Sequence, residues 1–268
     1  MRRSSPLKQQ AIGSTDPVAP TAARPVRSRT RSLPVDAHFE PHHHPWAQLA
    51  YCTSGLIAVT VFNAGLDTTC IVPPTRAVWI PPGAQHAVTV LEAAQLRTIY
   101  LDPRVTPAGW SGYRVLRVSP LLRELIHALQ ASEPGARDDH LMQLLVIEMT
   151  SADTQTLGVP LPRDKRLRAL CEAVLRAPAE RATLADWAVN IGASERTVAR
   201  LFRAELGTSY QQWRQQAVLA HALPLLARGV PVNRVAEASG YASGSAFCAM
   251  FKTAMGQLPR HFHKTGQP

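Results

Sequence analysis

Histidine, a residue type well suited to transition-metal binding, is concentrated in the first third of the sequence. Three consecutive histidines, His42 to His44, are followed four residues later by Gln48, and His86 comes directly after a Pro-Pro-Gly turn and two further residues. On a β-strand, His42 and His44 point to the same face because they lie two residues apart, whereas His43 points away. A fold that gathers these side chains would create a site for a metal ion or an organic ligand.

The C-terminal third contains a pattern that is typical of a helix-turn-helix unit. Such a unit needs a small residue where its helices meet and a glycine in the turn four residues later. Ala188 and Gly192 fill these places, and Ser194 can cap a second helix that ends before Gly207. The positions that lock the helices together are apolar: Trp187, Ile191, Val198 and Leu201. We therefore predict a helix-turn-helix unit over about 182–205.

The same pattern recurs 48 residues later in the chain. Ala236 takes the small position, Gly240 the turn and Ser243 the cap. Apolar side chains again fill the surrounding positions: Val235, Tyr241, Phe247 and Phe251. The second unit is predicted over about 230–255. A continuous helix over 209–227, about 28 Å long, would separate the two recognition helices by about one turn of DNA.

Positive charge is distributed unevenly along this chain of 268 residues, whose formal net charge is +10. Residues 1–33 carry +6, residues 34–162 carry −4 and residues 163–268 carry +8. This asymmetry favours a C-terminal module that faces a polyanion and a middle segment with another task.

Several classes of protein are disfavoured by the same sequence. No apolar run is long enough to span a membrane, and no apolar stretch follows the basic N-terminus as in a secretory signal. The cysteines lie far apart, which is typical of free thiols in a reducing cytoplasm: Cys52, Cys70, Cys171 and Cys248. We therefore expect a cytoplasmic globular protein with no membrane partner.

The order of local signals predicts an α+β protein of two domains. Residues 1–33 are predicted to be a disordered basic tail, residues 34–118 a small β-barrel, residues 119–156 a helical connector and residues 157–162 a linker to an all-α domain. Short strands are expected at Gln48–Tyr51, Leu56–Phe62, Thr69–Val72, Ala77–Ile80, His86–Leu91 and Gln95–Leu101. The connector helices, one capped by Ser119 and one from about Asp138 to Ser151, could pair two protomers as a homodimer or pack on their own barrel.

Residues 163–264 resemble the DNA-binding domain of the AraC/XylS regulators. The most specific segments are "GASERTVARLFRAELGTSYQQWRQQ" and "VAEASGYASGSAFCAMFKTAMGQLPRHF". The resemblance implies that the base-reading positions of the first recognition helix are Arg196, Ala199 and Arg200, and the two arginines can donate to guanine. Thr197 and Arg203 are better placed for phosphate, and Ser194 at the cap is a further DNA-binding candidate. Double-stranded promoter DNA and RNA polymerase are the partners that it implies.

The matching positions of the second recognition helix carry small side chains. They are Gly244, Ser245 and Ala249, with Ser243 at the cap and Lys252 available for the DNA backbone. These residues offer few groups for hydrogen bonds to bases. We therefore expect an asymmetric reader, in which the second unit contributes mainly register and phosphate affinity.

The segments "PHHHPWAQLAYCTSG" and "WIPPGAQH" resemble the cupin (jelly-roll) barrel found in a subset of these regulators. The metal-binding pattern of cupins maps onto His42, His44, Gln48 and His86, with glutamine where glutamate is more common. Neutral imidazoles and an amide suit Zn, Ni, Co or Cu rather than hard cations. A metal-free pocket that binds an organic ligand is the alternative. Arg76 and Trp79 could contact an anionic or aromatic effector, or be structural.

These features favour a sequence-specific transcription regulator whose promoter binding responds to a small effector or metal in the barrel. Efflux regulators with this architecture suggest a neighbouring efflux or metabolic gene as the target. A cupin metalloenzyme, for example a dioxygenase with an accessory DNA-binding domain, is the alternative from another class. A DNA-binding architectural protein with a degenerate barrel is the third. We expect no enzymatic activity.

Overall fold

The computed structural model of the chain describes residues 18–63, 67–130, 134–155, 158–180, 183–190 and 193–262. The chain forms two compact units. One comprises Met1–Phe62 with Cys70–Leu157, and the other Asn63–Thr69 with Gly158–Pro268. None of the helices in the described part of the chain is long and apolar enough to cross a membrane.

The N-terminal unit is built on an antiparallel sheet whose two long strands pair with each other. Its strands are β1 (Val26–Leu33), β2 (His38–His42), β3 (Ala47–Phe62), β4 (Thr68–Val72), β5 (Arg76–Ile80), β6 (Gln85–Leu101), β7 (Arg114–Arg117) and β8 (Thr154–Gln155). The order is β1-β6-β3-β5-β7-β8, with β2 also on β6 and β4 also on β3. This is the sheet-rich domain that the sequence predicts.

Four predicted short strands form two long ones instead. The pieces predicted at 48–51 and 56–62 are one strand, β3, and those at 86–91 and 95–101 are one strand, β6. Gly55, expected to separate strands, has φ +79° at an irregularity inside the β3–β6 ladder. A Cβ at Gly55 would lie 2.1 Å from the Ala93 carbonyl oxygen. This glycine therefore permits a bulge and a close strand approach rather than a turn.

The prediction of a disordered tail through residue 33 is wrong for its last part. β1 pairs with β6 from Val26↔Leu101 to Leu33↔Ala94. Its central residues are polar and half-buried, while Val26 and Leu33 are buried at its ends. The hydrogen bonds of β6 hold this polar segment, which lacks the apolar alternation of an ordinary strand. Residues 1–17 of the predicted tail lie outside the described residues.

The sheet separates two apolar clusters. One face of β5 contributes Val78 and Ile80 to the inner cluster of the barrel. The other face contributes Ala77 and Trp79 to a second cluster, which two helices cover, α1 (Pro120–Ala128) and α2 (Ala136–Ser151). The Ser119 side chain accepts from the Leu122 N–H and caps α1, as predicted. Both connector helices therefore bury one side against their own sheet.

The C-terminal unit is mainly helical within the residues described. Its helices are α3 (Lys165–Arg176), α4 (Leu184–Asn190), α5 (Glu195–Leu206), α6 (Tyr210–Ala227), α7 (Val232–Ala238), α8 (Gly244–Met255) and α9 (Pro259–Phe262). α4–α5 and α7–α8 are the two predicted helix-turn-helix units, and α6 is the predicted connecting helix. Ile191 and Gly192, predicted at the first turn, lie outside the described residues.

Two local features position the first unit. Trp213, fully buried on α6, donates from its indole Nε1 to the Pro160 carbonyl over 2.8 Å. Pro160 ends a short buried strand, β9 (Gly158–Pro160), so the predicted linker at 157–162 is in part a structured element. Glu205 at the end of α5 accepts from the Arg163 and Asp164 backbone N–H groups, which fastens the start of α3 to the recognition helix.

Candidate functional site

The helix α5 begins and ends where the sequence predicts. The Ser194 hydroxyl accepts from the Thr197 N–H at 3.2 Å, and Gly207 ends the helix in the left-handed conformation with φ +66°. Val198 and Phe202 are the buried residues of its inner face. Thr197 is half-buried, and its hydroxyl lies 2.9 Å from that of Ser194. Both hydroxyls therefore contribute first to the helix cap.

The outer face of α5 carries cationic side chains that the fold leaves exposed. Arg196, Arg200 and Arg203 are all exposed, and Ala199 between them is half-buried. Their spacing of four and three residues aligns the arginines along one face of a helix. Bidentate guanidinium groups on such a face can bind guanine edges or phosphates.

The helix α8 repeats the frame of α5 with a different outer face. Ser243 caps it through the Ala246 N–H at 3.2 Å, and Gly256 ends it with φ +76°. The residues at the positions predicted to face DNA are small or neutral except one: Ser245, Ala249 and Lys252 are exposed, and Gly244 is half-buried. A Cβ at Gly244 would lie 2.4 Å from the Asn233 Oδ1, so this glycine serves the packing of α7 against α8.

The fold brings the predicted histidines together at one end of the barrel. His42, His44 and His86 each offer a ring nitrogen within 4.8 Å of the others. β6 holds His86 between its neighbours, because the residue pairs with His42 on β2 and with Val61 on β3. His43 is exposed as predicted, but the predicted strand through His44 is not formed, because β2 ends at His42 and both following histidines lie in the loop before β3.

The backbone fixes the tautomer of all three imidazoles. Each Nδ1 lies within hydrogen-bond distance of a main-chain carbonyl: His42 to Glu40 at 2.7 Å, His44 to Trp46 at 2.7 Å and His86 to Ala84 at 2.9 Å. Because a carbonyl only accepts, each Nδ1 must carry a proton, and in a neutral ring the Nε2 then carries the lone pair. The His86 Nε2 is buried without a hydrogen-bond partner. Carbonyl-oriented imidazoles with free Nε2 atoms are the usual form of metal-binding histidines.

Gln48 is the fourth predicted member, and it contacts His44. Its side-chain oxygen, Oε1, lies 2.8 Å from the His44 Nε2. The amide oxygen therefore faces this ring nitrogen. In the neutral form with a proton on Nδ1, the Nε2 lone pair would need the amide NH2 instead, which a 180° turn of the amide provides. The donors available are therefore three imidazoles and one amide, which fit Zn, Ni, Co or Cu.

Burial keeps the two inner histidines neutral. Burial, together with the charges of the nearby imidazoles, lowers the pKa of His86 to about 3, against the opposing effect of its hydrogen bond to the Ala84 carbonyl. Burial also lowers the pKa of His44, partly offset by its hydrogen bond to Gln48. Neutral imidazoles keep the Nε2 lone pairs available for a ligand.

The sequence did not single out two aromatic residues that adjoin the histidines. Trp46 stacks on His44 with ring centroids 5.2 Å apart, and Tyr100 meets His44 edge-on at 5.7 Å. Tyr100 pairs with Gln48 in the β3–β6 ladder. Trp46 could have been noticed from its place directly after the histidine run. Tyr100 had no local signal, because only strand pairing brings it near.

The structure does not bring Arg76 and Trp79 to this cluster. Gln48 pairs with Ile80, and Arg76 lies four residues further along β5, about 13 Å away at the usual strand rise. Arg76 is buried, with its Nη1 donating to the Thr75 carbonyl, and burial lowers its pKa to about 10. Trp79 points to the opposite face and packs edge-on against Trp110. Both residues are buried away from the histidine cluster, and their contact with an effector stays a prediction.

Two domain families match the chain in succession. The AraC-like ligand binding domain matches residues 30–145, and a helix-turn-helix domain matches residues 187–265. The HTH-type transcriptional regulator NimR of Escherichia coli K12 is 37% identical over 227 residues, which cover 82% of this chain and 81% of NimR. The chain belongs to the AraC/XylS family of transcriptional regulators. This AraC/XylS protein therefore combines DNA binding and transcription regulation with an AraC-type ligand-binding domain.

Two more distant similarities were also found. RipA of Corynebacterium glutamicum is 32% identical over 108 residues, which cover 40% of this AraC/XylS chain and 32% of RipA. A crystal structure of ToxT from Vibrio cholerae O395 aligns with 12% identity and a TM-score of 0.38. The alignment covers 90% of this chain and 98% of the ToxT chain.

Proposed function

We propose that this regulator reads its operator mainly through α5 and responds to a small effector bound at the histidine end of the barrel. The observation that supports the role of α5 is its exposed face, which is formed by Arg196, Arg200 and Arg203. Lys252 and the small residues of α8 would add phosphate affinity and register. Promoter DNA, RNA polymerase and a second copy of the chain are the macromolecular partners that we propose, and the cytoplasm is the proposed compartment.

Selection of binding sites from random duplex DNA tests the asymmetric reading. We expect one strongly conserved segment containing guanine and a second, weakly conserved segment about 10–10.5 base pairs away. Arginine bonds to guanine specify sequence, whereas contacts from small side chains and a lysine mainly position the protein. Two segments conserved to the same degree would contradict the proposal.

For the effector side, we propose that the histidine cluster holds a divalent transition metal, either as the effector or as its anchor. His42, His44 and His86 would bind it through Nε2, and Gln48 would complete the set. The buried, unpartnered Nε2 of His86 supports this proposal. A bound ion would supply a Lewis-acidic point to which an organic effector could attach. A ligand changes DNA binding only if its affinity differs between the two states of the protein.

Metal titration of the chelator-treated protein tests the site. We expect about one Zn, Ni, Co or Cu ion per chain, and cobalt absorption bands that report nitrogen ligands. His86→Ala should lose the ion, because it removes one of the imidazoles from the cluster. His43→Ala is the matched control, since it removes an exposed histidine from the same run. Equal binding by both variants would show that the ion binds elsewhere.

The same preparations separate the regulator from the metalloenzyme alternative. Oxygen consumption that continues without DNA and disappears in His86→Ala would favour the enzyme. A metal-dependent change in operator affinity without turnover would favour the regulator. A neighbouring efflux or metabolic gene is the target that we propose, and transcript levels of the flanking genes in a deletion strain test it.

A further inference from the structure

The loop that follows α3 meets two other parts of the DNA-binding unit at a single carbonyl group. Arg214, in the first half of α6, donates from Nη2 to the Pro178 oxygen over 3.2 Å. The turn between α7 and α8 approaches the same oxygen: a Cβ built on Gly240 would lie 2.8 Å from it and 3.1 Å from the Ala179 Cα. The Pro178 loop leads toward α4, so this point connects the first helix-turn-helix unit with the turn of the second.

Gly240 satisfies two demands at this point. Its φ of +76° is the left-handed conformation that the turn requires. Gly207 and Gly229 have similar angles, φ +66° and +78°, yet nothing lies within 4 Å of a Cβ at either. Close approach therefore distinguishes Gly240 from glycines that serve only to end a helix.

Arg214 also lies near the residue that follows this turn. Its charge favours the ionised form of Tyr241 and so opposes the rise in pKa that burial causes there. Tyr241 in turn meets Phe247 of α8 edge-on, with ring centroids 5.6 Å apart. The Arg214 guanidinium is thus near both the loop before α4 and Tyr241, which packs against the second recognition helix.

We propose that Arg214, the Pro178 carbonyl and Gly240 form an interlock that fixes the distance and rotation between α5 and α8. This inference rests on the two-segment DNA reading proposed above. A single connecting helix leaves each unit able to pivot about its end, whereas a second point of contact removes that freedom. Arg214 is therefore a positioning residue for DNA recognition, and its contribution is selectivity for the spacing of the two operator segments.

Operators with altered spacing test the interlock. Inserting one base pair rotates the second segment by about 35° and moves it by about 3.4 Å, and we expect the parent protein to lose about tenfold in affinity. Arg214→Met, which keeps the apolar stem, should lose only about threefold on the same change. Arg214→Lys, which retains a charge and a donor, should fall between them. If the parent protein and Arg214→Met lose the same factor in affinity on this insertion, the proposal is overturned.

A phosphate contact by Arg214 predicts a different result. Arg214→Met would then weaken binding to every spacing alike and reduce the salt dependence, with spacing selectivity unchanged. That outcome also overturns the interlock. Arg168→Ala, which removes one exposed charge on α3, is the control for charge alone.

Paired glycine variants separate close approach from turn strain. Asparagine tolerates the left-handed conformation better than most residues, so Gly240→Asn and Gly229→Asn carry similar backbone costs. We expect only Gly240→Asn to lose spacing selectivity, because its side chain meets the Pro178 oxygen. The same behaviour in both variants would contradict the role of close approach.

A distance measurement without DNA tests the interlock separately from the proposed reading of DNA. Spin labels at Val189→Cys on α4 and Thr253→Cys on α8, in a Cys248→Ser background, report the distance between the units. We expect a single narrow distance distribution that broadens in Arg214→Met and Gly240→Asn. Unchanged widths would overturn the interlock even if the operator has two segments. A broadened distribution with a one-segment operator would overturn the proposed reading alone.

Discussion

The two recognition helices have the same frame and different outer surfaces. α5 and α8 each begin at a serine whose hydroxyl caps the helix and end at a left-handed glycine. Each also buries phenylalanine on its inner side, Phe202 in α5 and Phe251 in α8. Their outer faces differ, with three exposed arginines on one and a single exposed lysine among small residues on the other. Residues that build the unit are thus repeated, while residues available for DNA have diverged.

The largest effects should fall on the shared frame and should not distinguish the two units. Phe202→Ala and Phe251→Ala each remove a fully buried ring, and we expect each to lower the free energy of unfolding by about 3–5 kcal/mol. Urea denaturation of each variant measures this. A loss for Phe251→Ala much smaller than that for Phe202→Ala would mean that the second unit is packed less tightly than the first.

The intermediate effect should separate the outer faces. Arg200→Ala should weaken binding to the selected operator by about 1–3 kcal/mol and leave non-specific binding nearly intact, because a bidentate guanine contact is lost. Ser245→Ala, at an exposed position of α8, should change specific binding by less than about 0.5 kcal/mol. Competition titrations on both DNAs measure the two variants. An equal loss on both DNAs would make Arg200 a phosphate contact.

The smallest effect should come from the one exposed cation of α8. Lys252→Ala should reduce affinity for all sequences alike and lower the slope of log K against log salt by about 1, because one phosphate contact is lost. Binding measured across a salt series on specific and random DNA tests this. A change in sequence preference would mean that Lys252 reads a base, and the asymmetry would then be weaker than proposed.

Features that depend on neighbours in sequence were predictable, and those that depend on distant partners were not. Ser119, Ser194 and Ser243 cap helices as expected, because a cap involves residues two or three positions away. Gly55 was misread as a turn, because only the approach of Ala93 shows that it lies in a bulge. β1 was missed, because its hydrogen bonds come from the distant strand β6.

The candidate site divides in the same way. The meeting of His42, His44 and His86 was predicted from local signals, but the strand alternation invoked for it does not hold, because β2 ends at His42 and His44 lies in the loop before β3. The position of Trp79 depends on which face of the sheet the helices cover, and the position of Tyr100 depends on strand register. Neither property is encoded within a short stretch of sequence.

The ladder between β3 and β6 bears on how the N-terminal unit folds during synthesis. β6 pairs with β1, β2 and β3, and both Val26 and Ala47 pair with Leu101 at its end. Those strands cannot complete their hydrogen bonds until β6 has left the ribosome. Long-range antiparallel pairing loses chain entropy before its contacts form, whereas helices form through local contacts. We therefore expect the ligand-binding unit, although synthesised first, to reach its native state more slowly than the helical unit behind it.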